Sequence, residues 1–183
     1  MNPQDELHAL TSLFSEPEAL IARADHIPAS QTPEPHKTLL AHDHHMTLSL
    51  ESYLGAPVDV RVVDRRLEGD IYSRKIILLK HGTEQVVMFG IVRLNLAYVT
   101  LAVRDEILAE KTPLGRVLIE HNVLREVNLG AMLRIVAGPG LAQLLPMKTG
   151  ETTYGRLATI FCNLRPAIDL LEITAPFEPP APE

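Results

Sequence analysis

Val58–Leu96 reads VDVRVVDRRLEGDIYSRKIILLKHGTEQVVMFGIVRLNL, and its dominant period is two. Val58, Val60 and Val62 alternate with polar neighbours. Tyr72, Arg74, Ile76 and Leu78 fall on one side of a second run, and Val86 and Met88 open a third that continues to Leu96. Successive side chains of a strand point to opposite faces, so this spacing predicts three β-strands. His81-Gly82-Thr83 lies between the second and third, where a hairpin connection is required. The second run is apolar on both sides: Arg74 travels with Ile76 and Leu78, Lys75 with Ile77 and Leu79. Its charges therefore do not mark a solvated face.

Toward the C-terminus a helical interlude follows, with Arg104–Ala109 and then Pro113–His121. Thr112 is a credible N-cap there, and Pro113 occupies the favoured first helical position. Strand spacing returns in Glu126–Val136, Arg156–Asn163 and Ala167–Thr174, with Asn163-Leu164-Arg165-Pro166 as the turn between the last two. The stretch Gly138–Gly155 reads as a long loop, a candidate cover for a pocket. Toward the N-terminus, Lys37–Leu54 carries apolar residues at Leu39, Leu40, Met46, Leu50, Tyr53 and Leu54 around the polar group His42-Asp43-His44-His45. We read two helices with a turn between them, the second starting near Met46 or Thr47 and stopped by Gly55 and Pro57. Leu7, Leu10, Leu13 and Phe14 predict a short amphipathic helix over Asp5–Phe14. Helices followed by consecutive short-turned strands make an α+β domain, mainly an antiparallel sheet with helices packed on it.

The proline-rich stretch Pro28–Pro35 is expected to be an exposed linker, and Pro176–Glu183 a disordered tail. The expected organisation is therefore an N-terminal helix and linker over 1–35, one working domain over 36–175, and the tail 176–183. With 183 residues and 46% hydrophobic content, one core is the natural outcome. A net charge of −6 with no basic block argues against nucleic-acid binding. Apolar runs no longer than a strand, and an N-terminus without a basic flank or apolar core, predict no membrane segment and a cytoplasmic protein. Cys162 is the sole cysteine, so no intrachain disulfide forms, and its apolar run marks it as a buried small hydrophobe. His36, His42, Asp43, His44 and His45 offer metal-ligand types, but adjacent histidines diverge and no HExxH spacing is present, so no metal is expected. A solvated turn is the expected role of this group, with His45, next to Met46, placed at a pocket mouth.

Two ionisable residues fall on apolar faces. Glu172 shares its side of the last strand with Ile168 and Leu170, and Arg74 shares its side with Tyr72, Ile76 and Leu78. A buried charge needs a partner. Pattern alone leaves the readings open: an internal Arg74–Glu172 ion pair or a sheet edge with water nearby, or an anion pocket in which the guanidinium grips a carboxylate and the glutamate accepts from a hydroxyl.

In their order along the chain these residues resemble the chorismate pyruvate-lyases, in their divergent bacterial and archaeal branch. The strongest local match is Lys111-Thr112-Pro113-Leu114-Gly115-Arg116, followed by an apolar helix. Leu39-Leu40 with a polar turn and Met46-Thr47 resembles the family's helix, turn and Met-Thr helix start. Ser73-Arg74-Lys75-Ile76 resembles its arginine-bearing strand, and Leu171-Glu172-Ile173 with Pro176 its terminal strand. The resemblance runs from about Leu39 to Pro176. It implies substrate or product contacts at Met46, Arg74, Leu114 and Glu172, with Arg74 and the helix-start amides of Met46 and Leu114 on a carboxylate and Glu172 on the hydroxyl, as base or as orienting group. It departs from the ubiquinone-pathway enzymes after Gly90, where Ile91-Val92-Arg93 replaces an arginine directly following the glycine; Arg93 is the candidate substitute and a further candidate for the pocket wall.

The activity so implied is cofactor-free elimination and aromatisation of chorismate to 4-hydroxybenzoate and pyruvate, by positioning and electrostatics. The partners are then small molecules, with monomer and homodimer both open. Two alternatives stand beside it: a lyase making another hydroxybenzoate isomer, and a non-catalytic effector-sensing module, since effector domains of some bacterial regulators are thought to share this fold. Residues 1–35 are too short and too acidic for a DNA reader of their own.

Overall fold

In the computed structural model, which describes residues 2–16 and 18–178, every strand of a seven-stranded sheet is antiparallel to its neighbours. The strands are β1 (Ile21–Ile27), β2 (Val58–Glu68), β3 (Ile71–Lys80), β4 (Val86–Asn95), β5 (Arg125–Ala137), β6 (Thr152–Cys162) and β7 (Arg165–Thr174), in the spatial order β1-β5-β6-β7-β4-β3-β2. The helices are α1 (Pro3–Thr11), α2 (His36–Leu40), α3 (Met46–Leu54), α4 (Leu101–Ala109), α5 (Leu114–Glu120) and α6 (Pro139–Ala142). The α+β architecture predicted from the strand spacing is the one observed.

The sheet is covered on both sides, which explains why β3 is apolar on both. One face carries Ile77, Leu79, Phe89, Ile91, Leu133, Leu157, Leu171 and Ile173, packed under α1, Phe14, Leu20 and Leu141 of α6. The other carries Tyr72, Val92, Leu94, Ile160, Ile168 and Leu170 under α4 and α5, and Ile76, Leu78 and Met88 under α2 and α3. Glu172 and Arg74 belong to this second face.

The N-terminal part departs most from the sequence reading. Residues 1–35 are not merely a helix and a linker: β1 pairs with β5 and forms a sheet edge, while Leu7, Leu10, Phe14 and Leu20 are core residues. The strand escaped notice because Ile21-Ala-Arg-Ala-Asp-His-Ile buries little, its exposed positions holding Ala22, Arg23 and His26, so the hydrophobic alternation is faint at an edge. Within the expected linker, Thr32 and Pro35 are buried and Ala29–Gln31 forms a short 3-10 turn. The start of the expected tail is docked: the Phe177 ring lies 5.1 Å from Tyr53 and 6.1 Å from His36. Residues 179–183, the rest of that tail, lie outside the described residues. The stretch 138–155 is not one open loop; it holds α6 and the beginning of β6. Helix α4 begins at Leu101, capped by Thr100, whose Oγ1 accepts from the Val103 amide. Helix α5 begins at Leu114, with Pro113 in the extended N-cap position and Thr112 one residue further out. Among the described residues no helix is long and apolar enough to cross a membrane.

Candidate functional site

Strand register assembles the site. Ile76 of β3 pairs with Gly90 of β4, Gly90 with Glu172 of β7, and Glu172 with Arg156 of β6, so these four stand in one row across the sheet. The adjacent row on the same face is Arg74, Val92, Leu170 and Ala158. Above these rows lies a cavity floored by Ile76, Leu78, Met88, Gly90, Val92, Ile160 and Leu170 and roofed by Met46 and Thr47 of α3, Leu114 and Gly115 of α5, and His44, His45 and Pro113 beside them. Glu172 and Arg156 are the charged groups on its wall. It encloses about 30 Å³, room for roughly two waters at about 10–15 Å³ each.

The roof comes to a point because two helices start there. At any helix start the first amides lack an intrahelical acceptor, and here the starts of α3 and α5 abut: a Cβ on Gly115 would stand 3.0 Å from the Cβ of His45 and 3.1 Å from the Thr47 hydroxyl. Glycine at 115 is what permits this approach. Met46 and Leu114 thus line one cavity.

Glu172 is 7% exposed. Its partner is not Arg74 but Arg156, whose Nε donates to Oε2 at 2.6 Å. Arg156 is 1% exposed and uses its remaining nitrogens on the segment that joins α2 to α3: Nη1 donates to the carbonyls of Leu40 (3.2 Å) and His42 (2.9 Å), and Nη2 to that of His44 (3.1 Å). The polar group His42–His45 is therefore a structured turn held from below, with Asp43 and His44 exposed and His45 buried. His42 takes part: its Nδ1 accepts from the His44 amide, its Nε2 lies 2.8 Å from the Ser49 hydroxyl, and burial followed by the Arg156 charge lowers its pKa.

Arg74 is 1% exposed, and both terminal nitrogens, Nη1 and Nη2, are buried without a hydrogen-bond partner among the described residues. Burial lowers its pKa, opposed by the nearby Tyr72 hydroxyl and Glu110 carboxylate. Tyr72 donates to Glu110 and is itself pushed up to about 12, by burial first and that hydrogen bond second. An arginine does not give up its proton in proteins, so Arg74 is a buried cation whose fork is unused. From the register, its Cα lies two strands and two residues from that of Glu172, roughly 10 Å across and roughly 7 Å along.

Of the residues singled out from the sequence, Met46, Leu114, Glu172 and His45 meet at the cavity. Arg74 lies on the same face one row away, next to Val92 and Ile76 of the cavity floor. Arg93 does not join them. Parity along β4 puts it with Ile91 on the opposite face, where its Nη2 donates to Asp169 at 2.7 Å, so it cannot substitute for a pocket arginine. Arg156 was missed although the same criterion applies to it as to Arg74: it shares parity with Ala158 and Ile160, an arginine on an apolar side. Arg125, which donates to His45 at 2.7 Å, carries no signal in the sequence, because it sits at the open end of β5.

No family model matches the chain, and no curated protein matches it. Solved structures do. PhnF from Mycobacterium smegmatis superposes with a TM-score of 0.50 at 10% identity, over 71% of this chain and 63% of that one. A GntR-family transcriptional regulator from Bacillus cereus gives 0.46 at 11% identity, over 66% and 94%. Gene product SA0254 from Staphylococcus aureus gives 0.49 at 13%, over 72% and 93%. At such identities the likeness is one of fold, an antiparallel sheet with helices packed on it. The ligand is a question for the site itself.

Proposed function

We propose that this domain binds a small aromatic carboxylate, the carboxylate meeting the fork of Arg74 and the ring lying on the apolar floor toward Glu172. The observation that carries the reading is the buried guanidinium with two unpartnered nitrogens beside a cavity. Leaving such donors unpaired costs about 1–3 kcal/mol each, more when charged, and a bidentate carboxylate is the anion that fits the fork. Glu172 adds direction: with Oε2 held by Arg156, Oε1 is the oxygen left to accept from a hydroxyl. A separation of roughly 10 by 7 Å between the two Cα atoms, shortened by both side chains, suits a ring with the carboxylate and the hydroxyl para to each other.

The test is calorimetry with 4-hydroxybenzoate, 3-hydroxybenzoate and 4-hydroxybenzyl alcohol. We expect the para acid to bind best, the alcohol not to bind, and Arg74→Met to abolish binding of both acids. Equal affinity for the acid and the alcohol would remove the carboxylate reading.

A second reading, turnover of chorismate, is favoured by the carboxylate of Glu172 in the cavity and by the Lys111–Arg116 motif on its roof. The ether bond to the enolpyruvyl group would break, the hydrogen on the hydroxyl-bearing carbon would leave as a proton, and the ring would become aromatic, giving 4-hydroxybenzoate and pyruvate. Glu172 would take the proton or hold the hydroxyl. Pyruvate release from chorismate in chelator-containing buffer, lost in Glu172→Gln while 4-hydroxybenzoate still binds, would support the lyase. Binding without pyruvate release would make the chain a sensor of such acids.

A further inference from the structure

His45 lines the cavity and is 7% exposed, yet nothing so far gives it a chemical role. Its partner decides its protonation. Arg125 Nε donates to His45 Nε2 at 2.7 Å, and a guanidinium has only donors to offer, so Nε2 must be the lone-pair nitrogen and the proton must sit on Nδ1. Arg125 is itself fixed, its Nη1 donating to the Val123 carbonyl at 3.0 Å. A second observation agrees. His45 is the N-cap of α3, where side chains with an acceptor reach the first-turn amides, and here no side-chain cap bond forms. An Nδ1 that carries hydrogen cannot make one.

We infer that His45 is a ligand-contacting, neutral hydrogen-bond donor, its Nδ1–H form locked by Arg125, and that it reads an oxygen acceptor on the ligand at the end remote from Arg74. This rests on the carboxylate reading above. The placement supplies the geometry: Arg125 starts β5 and Val127 of the same strand lines the cavity, whereas Arg74 is on β3, and β6, β7 and β4 lie between. A ligand that reaches both ends carries a ring carboxylate at Arg74 and a carbonyl or carboxylate oxygen on a short arm beyond Glu172. The charged groups around the imidazole are Arg125 of β5, Arg156 of β6, His44 beside it and Glu172 of β7. Burial and then the Arg125 charge hold its pKa near about 4, so the donor stays neutral through the physiological range.

Nitrogen NMR of the imidazole, assigned by the signal lost in His45→Gln, tests the lock without any ligand. We expect the Nδ1–H form, unchanged from pH 5 to 8, and in Arg125→Met a ring that mixes tautomers and titrates at a higher pH than in the intact protein, with burial still holding it below the free value. An Nε2–H form in the intact protein, or ordinary titration with Arg125 present, would overturn it. Calorimetry then compares 4-hydroxybenzoate with 4-(carboxymethoxy)benzoate, which adds a carboxylate on a short ether arm. His45→Ala should weaken the second about ten-fold, as loss of a hydrogen bond to a charged group does, and the first less than two-fold. In Arg125→Met the affinity for the second should acquire a pH dependence, tightening as pH falls and the freed imidazole charges. Equal losses for both compounds would make His45 a structural residue only. If neither binds, the carboxylate reading falls and takes the ligand contact with it, while the spectra alone decide the lock.

Discussion

Replacing Arg156 by methionine tests the mainstay of the site. The variant keeps much of the side-chain volume and removes the guanidinium, leaving Glu172 as a carboxylate on a wall where its side chain is 10% exposed. Breaking one half of a buried pair costs about 3–5 kcal/mol, because the other charge remains desolvated. Three carbonyls of the α2–α3 connection, those of Leu40, His42 and His44, lose their donor at the same time; two of them lie at a surface turn where water takes over, so they add little. For a chain of this size, at roughly 2–4 °C per kcal/mol, the melting temperature should fall on the order of 10 °C. The control is the double variant Arg156→Met/Glu172→Gln, which leaves no charge behind and should recover about half of the loss. Urea unfolding gives both numbers. A single-variant loss below about 1 kcal/mol, the size of an exposed ion pair, would mean that water reaches Glu172 and that the pair does not hold the roof; a double variant as unstable as the sum of the singles would mean that the two residues are not coupled.

Other perturbations have definite signs. Arg74→Met should raise stability by about 1–3 kcal/mol in urea unfolding, since it removes buried donors that have no partner, while abolishing carboxylate binding; a loss of stability would place a partner on that guanidinium. Histidines 36, 42 and 45 all have pKa values below the free value of 6.5, so the unfolded chain binds more protons and stability should be lost as pH falls from about 6.5 toward 4. His45, held at about 4, accounts for on the order of 3 kcal/mol of that fall, and His45→Gln should flatten the curve by a similar amount. At the alkaline end Tyr72, raised to about 12, should make stability decline as pH rises past about 10, and Tyr72→Phe should remove that decline. Deleting residues 2–16 should leave the chain insoluble or binding a hydrophobic dye, because Leu7, Leu10 and Phe14 cover one face of the sheet.

The middle of the fold was legible because its strands alternate strongly and are joined by short turns; β2, β3, β4, β5 and β7 fall where the period-two spacing puts them, and β6 begins at Thr152, ahead of the expected Arg156. What was not legible is what tertiary contacts decide. Ile21–Ile27 becomes a strand because β5 offers it an edge, and its own alternation is weak. The proline-rich stretch before α2 has a loop's composition and is nevertheless seated against the core at Thr32, Pro35 and His36. Composition describes what a segment avoids forming, and it is silent on what the rest of the chain covers it with.

For the site the useful rule was parity, and its one lapse is instructive. A charge sharing a strand side with large aliphatics marked Arg74 and Glu172 correctly as residues of one buried face. It invited pairing them with each other, since two opposite buried charges relieve one another. Register forbids that: Glu172 stands directly across from Arg156 and two strands from Arg74. The third charge, Arg156, changes the meaning of the other two. One arginine neutralises the glutamate and ties it to the roof, so the second is left with the Tyr72 hydroxyl and the Glu110 carboxylate as its polar neighbours and with both terminal nitrogens unpartnered among the described residues. On the proposed reading, the unpartnered fork of Arg74 is what an anion from outside would complete.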